Sequence, residues 1–393
     1  MKRFCCIALM LLAAVPAFSA AKKVTVAELK DMLVTMHKAN KSDEEVSIAL
    51  KQLQITEQLD RATMNSMADQ VPGKLSTEQL YVLEARSALL PPPATDVPNN
   101  APLDAAGQQA ILTKAATYVS GTWSQMPALT ATKTTLRFQD NVEALADASG
   151  LQGGSTNGAT GLWVNPYNYI HYINSADTEL AFDKGAERVP VDKTQWGRNK
   201  MIQPMDPDPD LATIFGEAKD SGGLKWDRWE VVNGKPAAVF SYAVPKKKSK
   251  MNVDVCCFPQ IDQAGVMTLS SASAGSLNGG SGGGATGNLQ TNTTWDHYRA
   301  KNVGFHGEFF IDPDTGVIVR MVTQDEQKTS DMVHQLDTRV DYAPVVIGGN
   351  ALMLPLRAIM ITEVVPNGEA GAGGFSTRTT LFTSEYKNYA PSK

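Results

Sequence analysis

"GFHGEFFIDPDTGVIVRM", residues 304–321, holds two alternating runs around a short polar turn. Side chains along a strand point alternately to opposite faces, so each run presents one apolar face. Asp312, Pro313, Asp314, Thr315 and Gly316 supply a proline for the turn corner and a glycine for its exit. Pairing Ile311 with Val317 sets Glu308 opposite Arg320 and Phe310 opposite Ile318. An opposite-charge pair across a ladder is worth up to about 1 kcal/mol. A slip by one residue would lose that pair and misplace the apolar faces. On this register the outer face carries Glu308 and Arg320, and the other carries Phe309, Val319 and Met321.

The same reading extends along the second half of the chain, which is β-like from Leu224 almost to the end. Asn233-Gly234 lies between two strand-like runs, and both residues accept the positive φ of a two-residue hairpin turn. A three-residue loop at Gly348, Gly349 and Asn350 sets Asp341 opposite Arg357. Tyr342 and Val346 then share a face with Leu352, Leu354 and Leu356. Upstream, residues 130–138 alternate as a strand. Residues 145–161 read as a loop, and 162–173 as a strand interrupted at Asn165-Pro166. A helix is expected over 103–124, with Ile111, Leu112, Ala115, Tyr118, Val119 and Trp123 on one stripe. The glycine- and serine-rich stretch 270–294 reads as a mobile loop, since it offers little apolar surface to bury.

Residues 22–90 read as four short helices. Three capping boxes are spelled out, starting at Thr25, Ser42 and Ser76 and each followed three residues later by Glu28, Glu45 or Gln79. Pro91 to Pro102 breaks helix, so 91–104 is expected to link this helical module to a β-rich unit over 105–390. The fold class expected is α+β: a small N-terminal helical bundle, then a large curved antiparallel sheet packed on a helix.

Lys2 and Arg3, the apolar run 4–15 and the small residues 17–21 have the form of a secretory signal peptide. The mature chain would be exported, periplasmic or secreted. Losing Lys2 and Arg3 would take the net charge from −5 to −7. An acidic chain is a poor partner for nucleic acid or for an anionic membrane surface. No later run has the apolar length of a transmembrane helix. The remaining cysteines, Cys256 and Cys257, are adjacent. On a strand their side chains diverge, which opposes a bridge between them.

No catalytic constellation stands out, and no cofactor is indicated. The glycine-rich runs at 279–283 and 282–287 match nucleophile-elbow and dinucleotide patterns without the flanking strand and helix such sites need. Asp206, Asp208, Asp210 and Glu217 occupy calcium-loop spacing. Leu211 stands where that loop needs glycine, and the alternative is a helix capped by Asp210. The five histidines lack metal-ligand spacing. The basic cluster at 246–250 reads as a solvated turn.

Phe310, Ile311, Asp312, Thr315, Gly316, Val317 and Arg320 stand in an apolar "hhID-x-x-T-G-h-h-h-R" hairpin. With the preceding helix and the run of long strands, the region 105–390 resembles the periplasmic lipoprotein carriers and related envelope-stress sensor domains. The resemblance implies a half-barrel closed on one side by helices, with an apolar concavity for acyl chains. The expected function is therefore a non-enzymatic binding or carrier protein for a lipid or lipoprotein acyl group. Phe309, Val319, Met321, Leu352 and Leu354 are its candidate lining. A cell-envelope protein that binds a partner through residues 22–90, or a hydrolase with an unrecognised site, are the alternatives.

Overall fold

The computed structural model describes residues 21–139, 170–188, 203–204, 210–260, 294–328, 331–364 and 378–392. Residues 1–20 of the expected signal peptide, Asp206, Asp208, the loop expected over 145–161, most of the strand expected over 162–173, and the glycine-rich stretch up to 293 lie outside them.

Ten strands form one antiparallel, open sheet. In chain order they are β3 (Leu129–Gln139), β4 (His171–Asp183), β5 (Ala186–Arg188), β7 (Lys225–Val232), β8 (Lys235–Val244), β11 (Gly304–Ile311), β12 (Ile318–Glu326), β13 (Val333–Ile347), β14 (Asn350–Val364) and β15 (Arg378–Pro391). Their spatial order is β5-β4-β3-β15-β14-β13-β12-β11-β8-β7. A small second sheet joins β6 (Gln203–Pro204), β9 (Val253–Gln260) and β10 (Thr294–Ala300). Cys256 and Cys257 lie within β9.

Two helices lie on the inner face of the large sheet. Helix α5 (Ala105–Thr117) starts at Asp104, whose carboxylate accepts the Gly107 amide, and runs into a π-helical turn, Tyr118–Trp123. The expected stripe is its buried side. Helix α6 (Leu211–Ser221) starts at Asp210, which accepts from the Thr213 amide, and ends at Gly222 with φ 71. Together they bury one cluster with residues of eight adjoining strands, β4 through β8 in the spatial order, among them Phe182, Leu129, Tyr386, Leu354, Tyr342, Met321, Phe309 and Phe240.

The opposite, outer face carries the N-terminal module: α1 (Val26–Lys38), α2 (Asp43–Lys51), α3 (Arg61–Ser66) and α4 (Lys74–Ser87). Two capping boxes form as written, at Thr25/Glu28 and Ser42/Glu45. The third does not. α4 begins earlier, after Gly73, and Asp43 from α2 accepts the Leu75 and Ser76 amides and the Ser76 hydroxyl. A long-range carboxylate has displaced the local cap. The all-helical reading also needs correction: β1 (Lys22–Val24) and β2 (Leu53–Ile55) form a short parallel pair. Leu29, Leu33, Val46, Leu50 and Leu83 make the module's own core. From its other side α4 presses Val82, Ala85 and Ala88 onto Phe138, Ile359, Ile361 and Leu381 of the sheet. The connecting segment is held as well, by Gln58 N–H to Pro91 O at 2.8 Å and Trp229 Nε1–H to Ala101 O at 2.8 Å.

The hairpins confirm the turns and correct one register. Asn233 and Gly234 have φ 52 and 76, with Val232 paired to Lys235. Asp341 does stand opposite Arg357, but through a two-residue Gly348-Gly349 turn plus an irregularity after Asp341. Val346 is consequently 72% exposed, and Leu356 also faces solvent, away from buried Leu354. In the hairpin over 304–321, Ile311 pairs with Ile318 and Phe310 with Arg320, which leaves Val319 as an extra residue. This β-bulge puts Glu308 opposite Val322 instead of Arg320. Val319 consequently packs on the outer face with Phe310 and Val322, not with Phe309 and Met321. Inside the hairpin Gly307 leaves room for the Tyr242 hydroxyl, which donates to Val322 O at 2.7 Å.

Candidate functional site

The inner face of the sheet changes character along the strands. Beneath α5 and α6 it is apolar; beyond them Thr338, Thr362 and Thr380 share it with a small apolar cluster in which Val333, Val364 and Leu336 pack with Val253 and Val255. At the transition lies a cleft of ≈ 390 Å³ between α6, the segment 250–254, β5 and the sheet. Leu336, Thr338 and Met360 line it from the sheet, with Ile214 and Met251 from the other side. Its rim is charged, but most of its carboxylates are already engaged. Asp210 accepts from Thr213 at 3.0 Å, and Glu217 takes the Lys250 amide at 3.1 Å. Asp254 holds Arg299 at 3.0 Å. Glu187 holds Lys133 at 3.3 Å and accepts from the Tyr386 hydroxyl at 3.0 Å.

The expected lining residues divide. Phe309, Met321 and Leu354 are fully buried under the two helices, with Phe309 stacked on Tyr242 at 4.6 Å and edge-on to Phe215 at 5.3 Å. They support the inner face and do not border the cleft. Leu352 borders a second depression of ≈ 460 Å³, between α5 and the start of β14. Val319 is on the other side of the sheet. Of the calcium-spaced residues, Asp210 caps α6 and Glu217 binds backbone; among the described residues no group of three or more His, Cys, Asp or Glu side chains could hold a metal ion. The cleft residues escaped detection because Leu336 and Met360 sit in strands whose facing was legible but whose cover by α6 was not.

The outer face carries a band of charge where the helical module meets the sheet. Arg228 bonds Glu308 at 2.6 Å and Glu230 at 2.7 Å. Arg320 bonds Glu230 at 3.3 Å and Asp341 at 2.6 Å, and Arg339 reaches Asp341 at 3.2 Å. Glu84 of α4 is pinned between Arg357 and Arg61, the latter at 2.9 Å, and Arg61 extends to Glu385 at 2.6 Å. Ala88 O, at the end of α4, accepts from Arg339 and from Gln58. Five arginines thus alternate with five carboxylates, and the network extends to Asp227 on Arg228 and to Lys387 on Glu385. The two-residue spacing of Asp337, Arg339 and Asp341 was the sequence signal for this band, because it places all three on one face.

Burial would raise the Asp341 carboxyl, but Arg320, Arg339 and Arg357 outweigh it and hold it well below the usual carboxylate range. Burial, with Arg320 and Arg357 beside it, pulls Arg339 down to about 10. A depressed carboxyl contributes stability that is complete above its unfolded value, about pH 4, and that is lost as pH falls toward the folded value. Urea midpoints measured from about pH 6 to about pH 3 are expected to fall on acidification. Asp341→Asn should flatten that dependence, and an unchanged slope would show that Asp341 is not the group responsible.

No family model, no curated protein and no solved structure matches this chain.

Proposed function

We propose that this protein is an exported, non-enzymatic binding or carrier protein for an amphiphile, with the ligand's apolar part in the cleft beside α6. The observation that carries the reading is the cleft itself. It opens on the inner face of an open sheet, where Met360, Leu336 and Ile214 give apolar contact and the rim is charged. A cleft of this size, with an apolar strip inside a charged and polar rim, offers both parts of a small amphiphile a surface. The resemblance to lipoprotein carriers points the same way. The fully buried Phe309, Met321 and Leu354 then serve as the rigid support under that face.

Native mass spectrometry of the purified chain, with solvent extraction of bound material, is expected to show a co-purifying amphiphile. A fluorescent fatty-acid probe should bind, and Met360→Trp, which fills the cleft, should weaken it about tenfold or more, roughly 1.4 kcal/mol. Absence of both co-purifying material and probe binding would overturn the reading.

A further inference from the structure

Past the cleft, the inner face holds a row of buried polar side chains. By register Leu336 stands opposite Thr362, Thr362 opposite Thr380, and Thr380 opposite Gln139. The next row runs Thr338, Met360, Phe382 and Arg137. Thr362 and Thr380 are 0% exposed, and neither hydroxyl has a hydrogen-bond partner among the described residues. Buried hydroxyls without partners disfavour folding, and valine would fill the same volume without that cost. On the other face of the same two strands Ile361 and Leu381 occupy the adjacent positions. Arg137 is 3% exposed and lies diagonally across from Thr380, within reach of a long side chain.

We propose that Arg137, Thr362 and Thr380 receive the anionic end of the amphiphile, a carboxylate or a phosphate, while its chain lies over Met360 and Leu336. This rests on the amphiphile reading above. A guanidinium carries five N–H donors in a planar fork, so Arg137 serves an oxyanion beside the contacts it already makes. Burial lowers Arg137 to about 10, which leaves it cationic at neutral pH. The two threonine hydroxyls gain the acceptor they lack. The rim itself is acidic, with five carboxylates against Arg188 and Lys250, so the anion's place is at Arg137 and not at the rim. Asp254 is paired with Arg299 and Glu187 with Lys133, while Asp210 and Glu217 accept backbone amides.

The test is calorimetric titration of the full chain with dodecanoate, dodecyl phosphate and dodecanol. At least one anionic probe is expected to bind about tenfold tighter than the alcohol, roughly 1.4 kcal/mol; which of the two does so assigns the head group. The double variant Thr362→Val, Thr380→Val is nearly isosteric and should lose that discrimination while keeping its affinity for dodecanol. Equal binding of acid and alcohol by the unaltered protein would overturn the anionic-end assignment alone, with no variant needed. So would a parallel loss of all three ligands in a folded double variant. Binding of none of the three would overturn the amphiphile reading as well.

Discussion

Glu84→Ala is expected to destabilise the protein by about 3–5 kcal/mol, the cost typical of removing one partner from a buried ion pair. Glu84 is almost fully buried on α4 and is the carboxylate shared by Arg61 and Arg357. Arg357 has no second ion pair among the described residues, and its Nε and Nη2 lack hydrogen-bond partners even with Glu84 present. Removing the carboxylate leaves a buried guanidinium without its ion-pair partner, and Asp341, its cross-strand neighbour, is already shared by Arg320 and Arg339. Replacing both residues by apolar ones of similar size, Glu84→Met with Arg357→Met, should recover much of the loss, because buried pairs barely repay their own desolvation. Denaturant midpoints of the two single variants and the double variant measure the coupling. Strictly additive losses would show that the pair is not coupled across the interface.

Gly316→Ala is expected to cost about 3 kcal/mol, summed from two independent effects. Gly316 has φ +77, where an alanine is disfavoured by about 1–2 kcal/mol. An added Cβ would also lie 2.5 Å from Lys114 Cβ and 2.7 Å from Ala115 N, against α5. Overpacking of that kind typically costs about 1–3 kcal/mol. Lys114 closes the same contact from the helix, donating to Pro313 O at 3.0 Å and Asp314 O at 3.1 Å. The loss should appear as a lowered melting temperature, with Gly234→Ala as the comparison. Gly234 also has positive φ, at 76, but open space around it, so only the backbone penalty applies. Equal losses at the two positions would remove the helix contact from the explanation.

Much of the architecture could be read from residue pattern, and the failures have a common cause. Turn positions were legible because Asn233-Gly234 and the pair Gly348-Gly349 have local conformational reasons to turn. The α5 stripe was legible because its spacing matches the helix period. The bulge at Val319 was not, since nothing about a valine between Ile318 and Arg320 marks it as extra. The misassigned cap at Ser76 follows the same logic. A local hydroxyl-to-amide bond lost to Asp43, more than thirty residues away. The candidate site suffered most. Phe309, Met321 and Leu354 were correctly placed on the inner face, but two helices cover them, and cover is a tertiary fact that strand alternation does not encode.

The position of β15 bears on how the chain acquires its structure. This C-terminal strand sits between β3 and β14, so it is what joins the three-stranded part of the sheet, β5-β4-β3, to the six strands from β14 to β7. Thr380 meets Gln139, and Arg61 meets Glu385, across intervals of more than two hundred residues. Pairings so distant along the chain are slow to close, because the loop entropy is spent before any contact forms. During synthesis both β3 and β14 stand as open edges until residues 378–391 emerge, and the docking ground for α4 is incomplete for just as long. A chaperone that shields sheet edges would therefore have its opportunity on a nascent chain that has not yet released residues 378–391, and one halted short of Arg378 should be its best client.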